Sequence, residues 1–232
     1  MRPRWILAWL LAASTPVGAA SPVWLAGTEI GPDTTYAYAG VVAPVGSGSP
    51  LGDGWFQRYW LDWLRYTYEG AADEVEARAP GAEAAWGYQW PLAGGKLGVS
   101  AGAVYRHTTL DPSRAESAVQ GARWGAKLQA AGRTTPGPWR LRGIVSYVVG
   151  IDAYWGRLRA FRGHGPSLWP GAEVVALGDP EYQAVQLGAI LGQVPLGPGR
   201  RLTLKAGARL DGADGATPYA GVELAWGAGG SS

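Results

Sequence analysis

The chain has 232 residues, among them 37 glycines and 13 tryptophans but no cysteine and only two histidines. A net charge of +2 offers nucleic acid no strongly basic surface, and the missing cysteines exclude disulfide stapling. Glycine at this level can mark disorder, but tryptophans spread along the whole length exclude it, since disordered chains are poor in aromatics.

Residues 1–20 read as a secretory signal. Arg2 and Arg4 form its charged end, Trp5 to Ala13 its apolar stretch, and Val17-Gly18-Ala19 or Gly18-Ala19-Ala20 a small-residue cleavage site. The apolar stretch is far short of the ~20 residues that a spanning helix needs. Residues 21–232 are then expected to form a single exported domain. Discounting Arg2 and Arg4, the 20 basic residues fall to 18, equal to the 18 acidic ones. No later run approaches a transmembrane helix, so a membrane reading requires strands.

Residues 54–69 mix seven aromatics with Arg58, Asp62 and Arg65. As a helix the three charges share one face; as a strand Arg58 and Asp62 share a face with Trp60 and Tyr66, while Tyr59, Leu61 and Trp63 point the other way. Neighbouring segments decide for the strand. Arg201, Thr203, Lys205, Gly207 and Arg209 alternate with Leu202, Leu204, Ala206, Ala208 and Leu210. Period-two strings also occupy 82–90, 122–130 and 219–226, with weaker ones at 97–107, 139–149, 154–162 and 182–192. A helical stripe cannot produce such strings. Strands are therefore expected at 23–30, 34–43, 54–68, 82–90, 96–106, 121–132, 138–149, 154–162, 171–178, 182–193, 200–210 and 217–227. The first and ninth are the weakest, which makes ten the alternative to twelve. Longer polar connections are expected at about 69–81 and 108–120.

Strands of this length joined by turns and polar loops predict an all-β, up-and-down antiparallel transmembrane barrel in a bacterial outer membrane. A soluble sandwich or lipocalin-like barrel is the competing architecture. Small apolar residues with Trp or Tyr near strand ends favour the membrane, as a lipid-facing band with aromatic girdles. The last strand carries the pattern of an assembly signal in Tyr219, Gly221, Leu224 and Trp226, although the chain continues past the aromatic to Ser232.

Charges cannot face lipid cheaply, so those inside strands should point into the lumen. The expected lumenal network is Arg58, Asp62, Tyr66, Glu83, Arg106, Arg123, Lys127, Arg140, Arg142, Arg157, Arg159, Glu173, Arg201, Lys205, Arg209 and Glu223. Only Glu29, Asp62, Glu83, Glu173 and Glu223 are acids within expected strands; the other 13 of the 18 fall in connections, giving a cationic lumen with an acidic rim. Arg65 falls on the lipid side and is tolerable only at the rim, where it can snorkel. Such charges either stiffen a narrow lumen or form a path for an anionic or sugar-like ligand.

Catalytic signals are thin. His107, Ser146 and Glu173 could supply a lipid hydrolase or acyltransferase only if they met at one rim. No carboxylate set has metal-ligand spacing, and no cofactor, metal or catalytic residue is expected.

Several segments in order resemble the cellulose biosynthesis protein BcsS family. They are Tyr36-Ala-Tyr-Ala-Gly40 to Pro44, Gly54-Trp-Phe-x-Arg58-x-Trp60-x-Asp62 to Tyr68, Gly81-Ala-Glu83-Ala, and Gly171-x-Glu173 through Gly178-Asp179-Pro-Glu-Tyr182 to Gln186-x-Gly188. The resemblance implies an accessory outer-membrane barrel of cellulose biosynthesis, acting in export, anchoring or organisation of the polymer. Its implied partners are outer-membrane lipid and cellulose or its secretion machinery, with no nucleic acid. A small-solute pore with a cationic lumen is the alternative, and a lipid-modifying enzyme stands behind both.

Overall fold

The computed structural model describes residues 21–46, 51, 53–69, 74–112, 119–163, 168–180, 182–211 and 215–227. The expected signal peptide lies outside the described residues, as do His164 and the tail after Gly227. The strands are β1 (Val23–Ile30), β2 (Thr34–Pro44), β3 (Gly54–Glu69), β4 (Glu74–Leu92), β5 (Gly95–Asp111) and β6 (Gly121–Thr134). They continue as β7 (Trp139–Val149), β8 (Ala153–Arg162), β9 (Trp169–Gly178), β10 (Gln183–Gly197), β11 (Arg200–Asp211) and β12 (Gly215–Gly227). Each strand pairs antiparallel with its sequence neighbours, and β12 pairs with β1 from Val23↔Gly227 to Ile30↔Ala220. The sheet closes into a barrel of twelve strands with no open edge. β1 and β12 both meet the same end, called here the terminus-bearing end.

The faces of the barrel settle which solvent it was built for. Trp124 is 70 % exposed and Leu61 57 %, whereas the inward Arg159 and Glu173 are 5 % and 2 % exposed. A soluble barrel would show the reverse. Outward-facing Trp24, Trp226, Trp55, Trp90 and Trp139 lie near the terminus-bearing end, with Trp24 stacked on Trp226 at 6.2 Å. Trp63, Tyr105, Trp124, Tyr147 and Tyr154 lie toward the far end, and Leu, Val and Ala fill the band between. These two aromatic rings bound the membrane-spanning part of the wall.

Beyond the far ring, β3, β4 and β5 project from the bilayer, which corrects the expected 69–81 connection. Only residues 70–73 separate β3 from β4, and β5 runs on to Asp111. The alternation continues there but its polarity inverts. Val75, Ala77 and Leu110 are buried inside with Tyr66 and Tyr68 packed on them, while Arg65, Glu76 and Arg78 point outward. Above the lipid the outer wall meets headgroups and water, so charge there reads as loop although the backbone is strand. Glu69, Glu74, Glu76, Asp111 and Asp211 are thus strand residues, not connections.

Arg65 sits on the outer face two residues past Trp63, donates to Glu76 at 2.5 Å and is 47 % exposed; Arg78 donates to the same carboxylate. The two guanidinium groups hold the Glu76 carboxyl below its ordinary 4.5. A depressed carboxylate stabilises the fold above its unfolded pKa and loses that contribution as pH falls through the folded value. Side-chain 13C titration should therefore place the Glu76 midpoint below 4.5, and Arg65→Gln should move it upward. The effect on global stability is small, because the pair faces water.

Glycines seat aromatic rings on neighbouring strands. Tyr38 stacks on Trp60 at 4.7 Å, Tyr38 covers Gly27, and Trp60 covers Gly40. A Cβ on Gly40 would stand 2.0 Å from the Trp60 ring. Gly40→Ala should cost about 1–3 kcal/mol by overpacking, measurable as a lower urea midpoint in lipid vesicles.

Candidate functional site

Period-two alternation fixes which side chains share the lumen, and register fixes which of them meet. The inward row of β3, for example, faces Glu83 and Gly81 of β4 through Trp60 and Asp62. The inward side chains lie in three layers along the barrel axis.

The middle layer consists of two ion-pair clusters. On the β3–β6 wall, Arg58 donates to Glu83, Lys127 Nζ reaches Glu83 Oε2 at 2.8 Å, and Arg106 donates to Asp62 at 2.5 Å. On the other wall, Arg159 of β8 donates to Glu173 of β9 and, across the lumen, to Glu223 of β12 at 2.6 and 2.8 Å. Arg157 joins at 2.9 Å. Because β8 and β12 are four strands apart, these bonds form a clasp across the barrel rather than a ladder contact. Tyr219 donates to Glu173 at 3.1 Å. Glu29 accepts from Gln186 at 2.6 Å, Lys205 at 2.6 Å and Arg209 at 2.8 Å. Such close partners offset the cost of taking these charges out of bulk water.

The far layer is the apolar cluster of Val75, Ala77 and Leu110. At the terminus-bearing end, Phe161, Trp169 and Ile190 form a second buried cluster, with the Arg140 guanidinium 3.7 Å from the Trp169 ring centroid.

The register places all the expected lumenal residues on the inward face. Arg58 and Asp62 share that face but take different partners, Glu83 and Arg106. Tyr66 joins the apolar cluster at the far mouth, where it stacks on Tyr68 at 5.9 Å. Arg123 stands opposite Arg106, and Arg201 lies at the mouth of the terminus-bearing end. Of the assembly-signal residues, Leu224 and Trp226 face outward, while Tyr219 and Gly221 face the lumen. Sequence reasoning left Gln186, Lys96 and Arg133 out of the lumen, and placed Glu29 in a strand without giving it a role. Their inward position follows from strand parity once the register is known.

The geometry does not assemble the trio considered for lipid chemistry. On β5 the inward residues are Arg106 and Thr108, so His107 faces outward, whereas Ser146 points inward and donates to the Trp155 carbonyl at 3.4 Å. Glu173 is saturated by Arg159 and Tyr219.

Comparison with known proteins agrees with this architecture. Among solved structures the barrel is similar to the KdgM porin, with a TM-score of 0.52 at 7 % identity over 88 % of this chain and 98 % of that one. It is similar to the β domain of the Bordetella autotransporter BrkA (TM-score 0.54, 14 % identity, 90 % and 99 % covered). The COG4313 outer membrane channel from Pseudomonas putida F1 gives 0.53 at 15 % identity, with 92 % and 97 % covered. At these identities the likeness is one of fold, and the fold is that of outer-membrane barrels. No curated protein matches the chain by sequence. The family model described as cellulose biosynthesis protein BcsS matches residues 23–227, from the first residue of β1 to the last of β12. The chain therefore belongs to the cellulose biosynthesis protein BcsS family, and the matched residues form a closed outer-membrane β-barrel.

Proposed function

We propose that this chain is an accessory outer-membrane barrel of cellulose biosynthesis that anchors or organises the polymer-secreting assembly, and that the polymer does not pass through its lumen. The Arg157/Arg159–Glu223 clasp carries this reading, because it ties β8 to β12 across the space a glucan chain would occupy. The filling is also of the wrong kind for that cargo. Cellulose is neutral and slides over aromatic faces flanked by carboxylates and amides, whereas the middle layer here presents guanidinium and ammonium groups locked to carboxylates. A rigid barrel with a filled interior acts through its outer wall and its ends, where partners dock.

The test is deletion of the gene in a cellulose-producing host, with cellulose scored at the cell surface and in the periplasm. A smaller or disorganised surface deposit, without polymer trapped in the periplasm, is the expected result. Periplasmic accumulation would make the barrel the conduit, and normal amount and location would remove the cellulose role.

A further inference from the structure

Across β5 to β8 the strands carry ten basic residues and one acid, Asp111, which lies at the far end. Arg106, Lys127, Arg157 and Arg159 obtain carboxylates from other strands. Four inward cations near the terminus-bearing end do not: among the described residues, Lys96, Arg133, Arg140 and Arg142 make no ion pair with a carboxylate. They are also aligned. Lys96 pairs with Arg133, Arg133 with Arg142, and Arg142 with Arg159, so one register row presents four successive positive groups. Paired residues on one face have Cβ atoms about 5 Å apart, and like charges so placed repel. The next residue in the row, Glu173, cannot relieve them, since Arg159 and Tyr219 already occupy it.

The row is held in place. The Arg140 guanidinium carbon stands 3.7 Å from the Trp169 ring centroid, and that of Arg142 stands 5.6 and 5.7 Å from the Phe161 and Trp169 rings. Rings fix the planes of the guanidinium groups and leave their N–H edges unused. Arg133 is exposed, so the row opens to water at its end of the barrel. Planar guanidinium edges, a lysine and an open mouth match the geometry of an oxyanion with several negative oxygens.

We propose that this vestibule is a binding site for a multivalent oxyanion, held by Lys96, Arg133 and Arg142 above the Phe161–Trp169 floor. This goes beyond the anchoring role and does not depend on it. The anion supplies the negative charge that β5 to β8 lack, and the clasp bounds the site on its side toward the far end.

The experiment is calorimetric titration of the full chain in detergent with inorganic tripolyphosphate and, separately, with citrate. Binding to one site is expected, with tripolyphosphate alone identifying phosphate chemistry and both probes identifying charge alone. Arg133→Gln with Arg142→Gln should weaken binding by about tenfold or more, from the loss of charge-assisted hydrogen bonds. Arg78→Gln, on the outer wall, should leave it unchanged. Arg133→Gln alone should not lower the unfolding midpoint without anion, because it relieves repulsion from both neighbours. No binding of either probe, equal binding by the double variant, or a lowered midpoint in Arg133→Gln would each overturn the site.

Discussion

Glu29→Ala is expected to lower the unfolding free energy by about 3–5 kcal/mol, the cost of leaving buried charges without their partner. Glu29 is 7 % exposed and accepts from three side chains on β10 and β11, both reached across β12. Arg209 has no other carboxylate within ion-pair distance among the described residues, and its Nε has no partner even in the wild type. Among the described residues, Lys205 would retain only the Glu173 and Glu223 carboxylates, each at 3.8 Å. Urea unfolding in lipid vesicles, read by the electrophoretic shift between folded and unfolded barrel, measures the difference. A loss below about 1 kcal/mol, the scale of an exposed pair, would mean that water reaches and solvates this cluster.

Glu223→Ala releases the clasp. Its carboxylate is the sole ion-pair partner of Arg157 among the described residues and one of two for Arg159. Without it, Arg157 turns toward water, Arg159 retracts to Glu173, and β8 is no longer tied to β12. The stability loss is again about 3–5 kcal/mol by the same argument. Liposomes containing the variant should also swell faster in a small neutral sugar than liposomes containing the wild type. Arg201→Ala, at the mouth, is the control that should leave swelling unchanged. Equal swelling of Glu223→Ala and wild type would place the barrier elsewhere in the lumen.

Much of this was legible in the residues. The strict alternation of 201–210 cannot be helical, and it appears as β11. The same parity put Arg58 and Asp62 inside and Arg65 outside at the rim, where it meets Glu76. The outer half of β4 was not legible, because Glu76 and Arg78 sit on the face that is apolar within the membrane. Partner choice was not legible either. Glu29 and Arg209 are 180 positions apart, and Arg159 and Glu223 are 64 apart. Their meeting follows from barrel closure and register, neither of which a single strand encodes. The cationic row shows both sides: the scarcity of acids between residues 95 and 162 is plain in the sequence, but its alignment needs three successive registers.

The lumenal clasp is tested most directly by single-channel recording of the purified wild-type barrel in planar bilayers at neutral pH. A lumen filled by Arg157, Arg159, Glu173 and Glu223 predicts a quiet bilayer without stable open steps. A steady, long-lived open conductance would contradict it and return the barrel to the class of open pores.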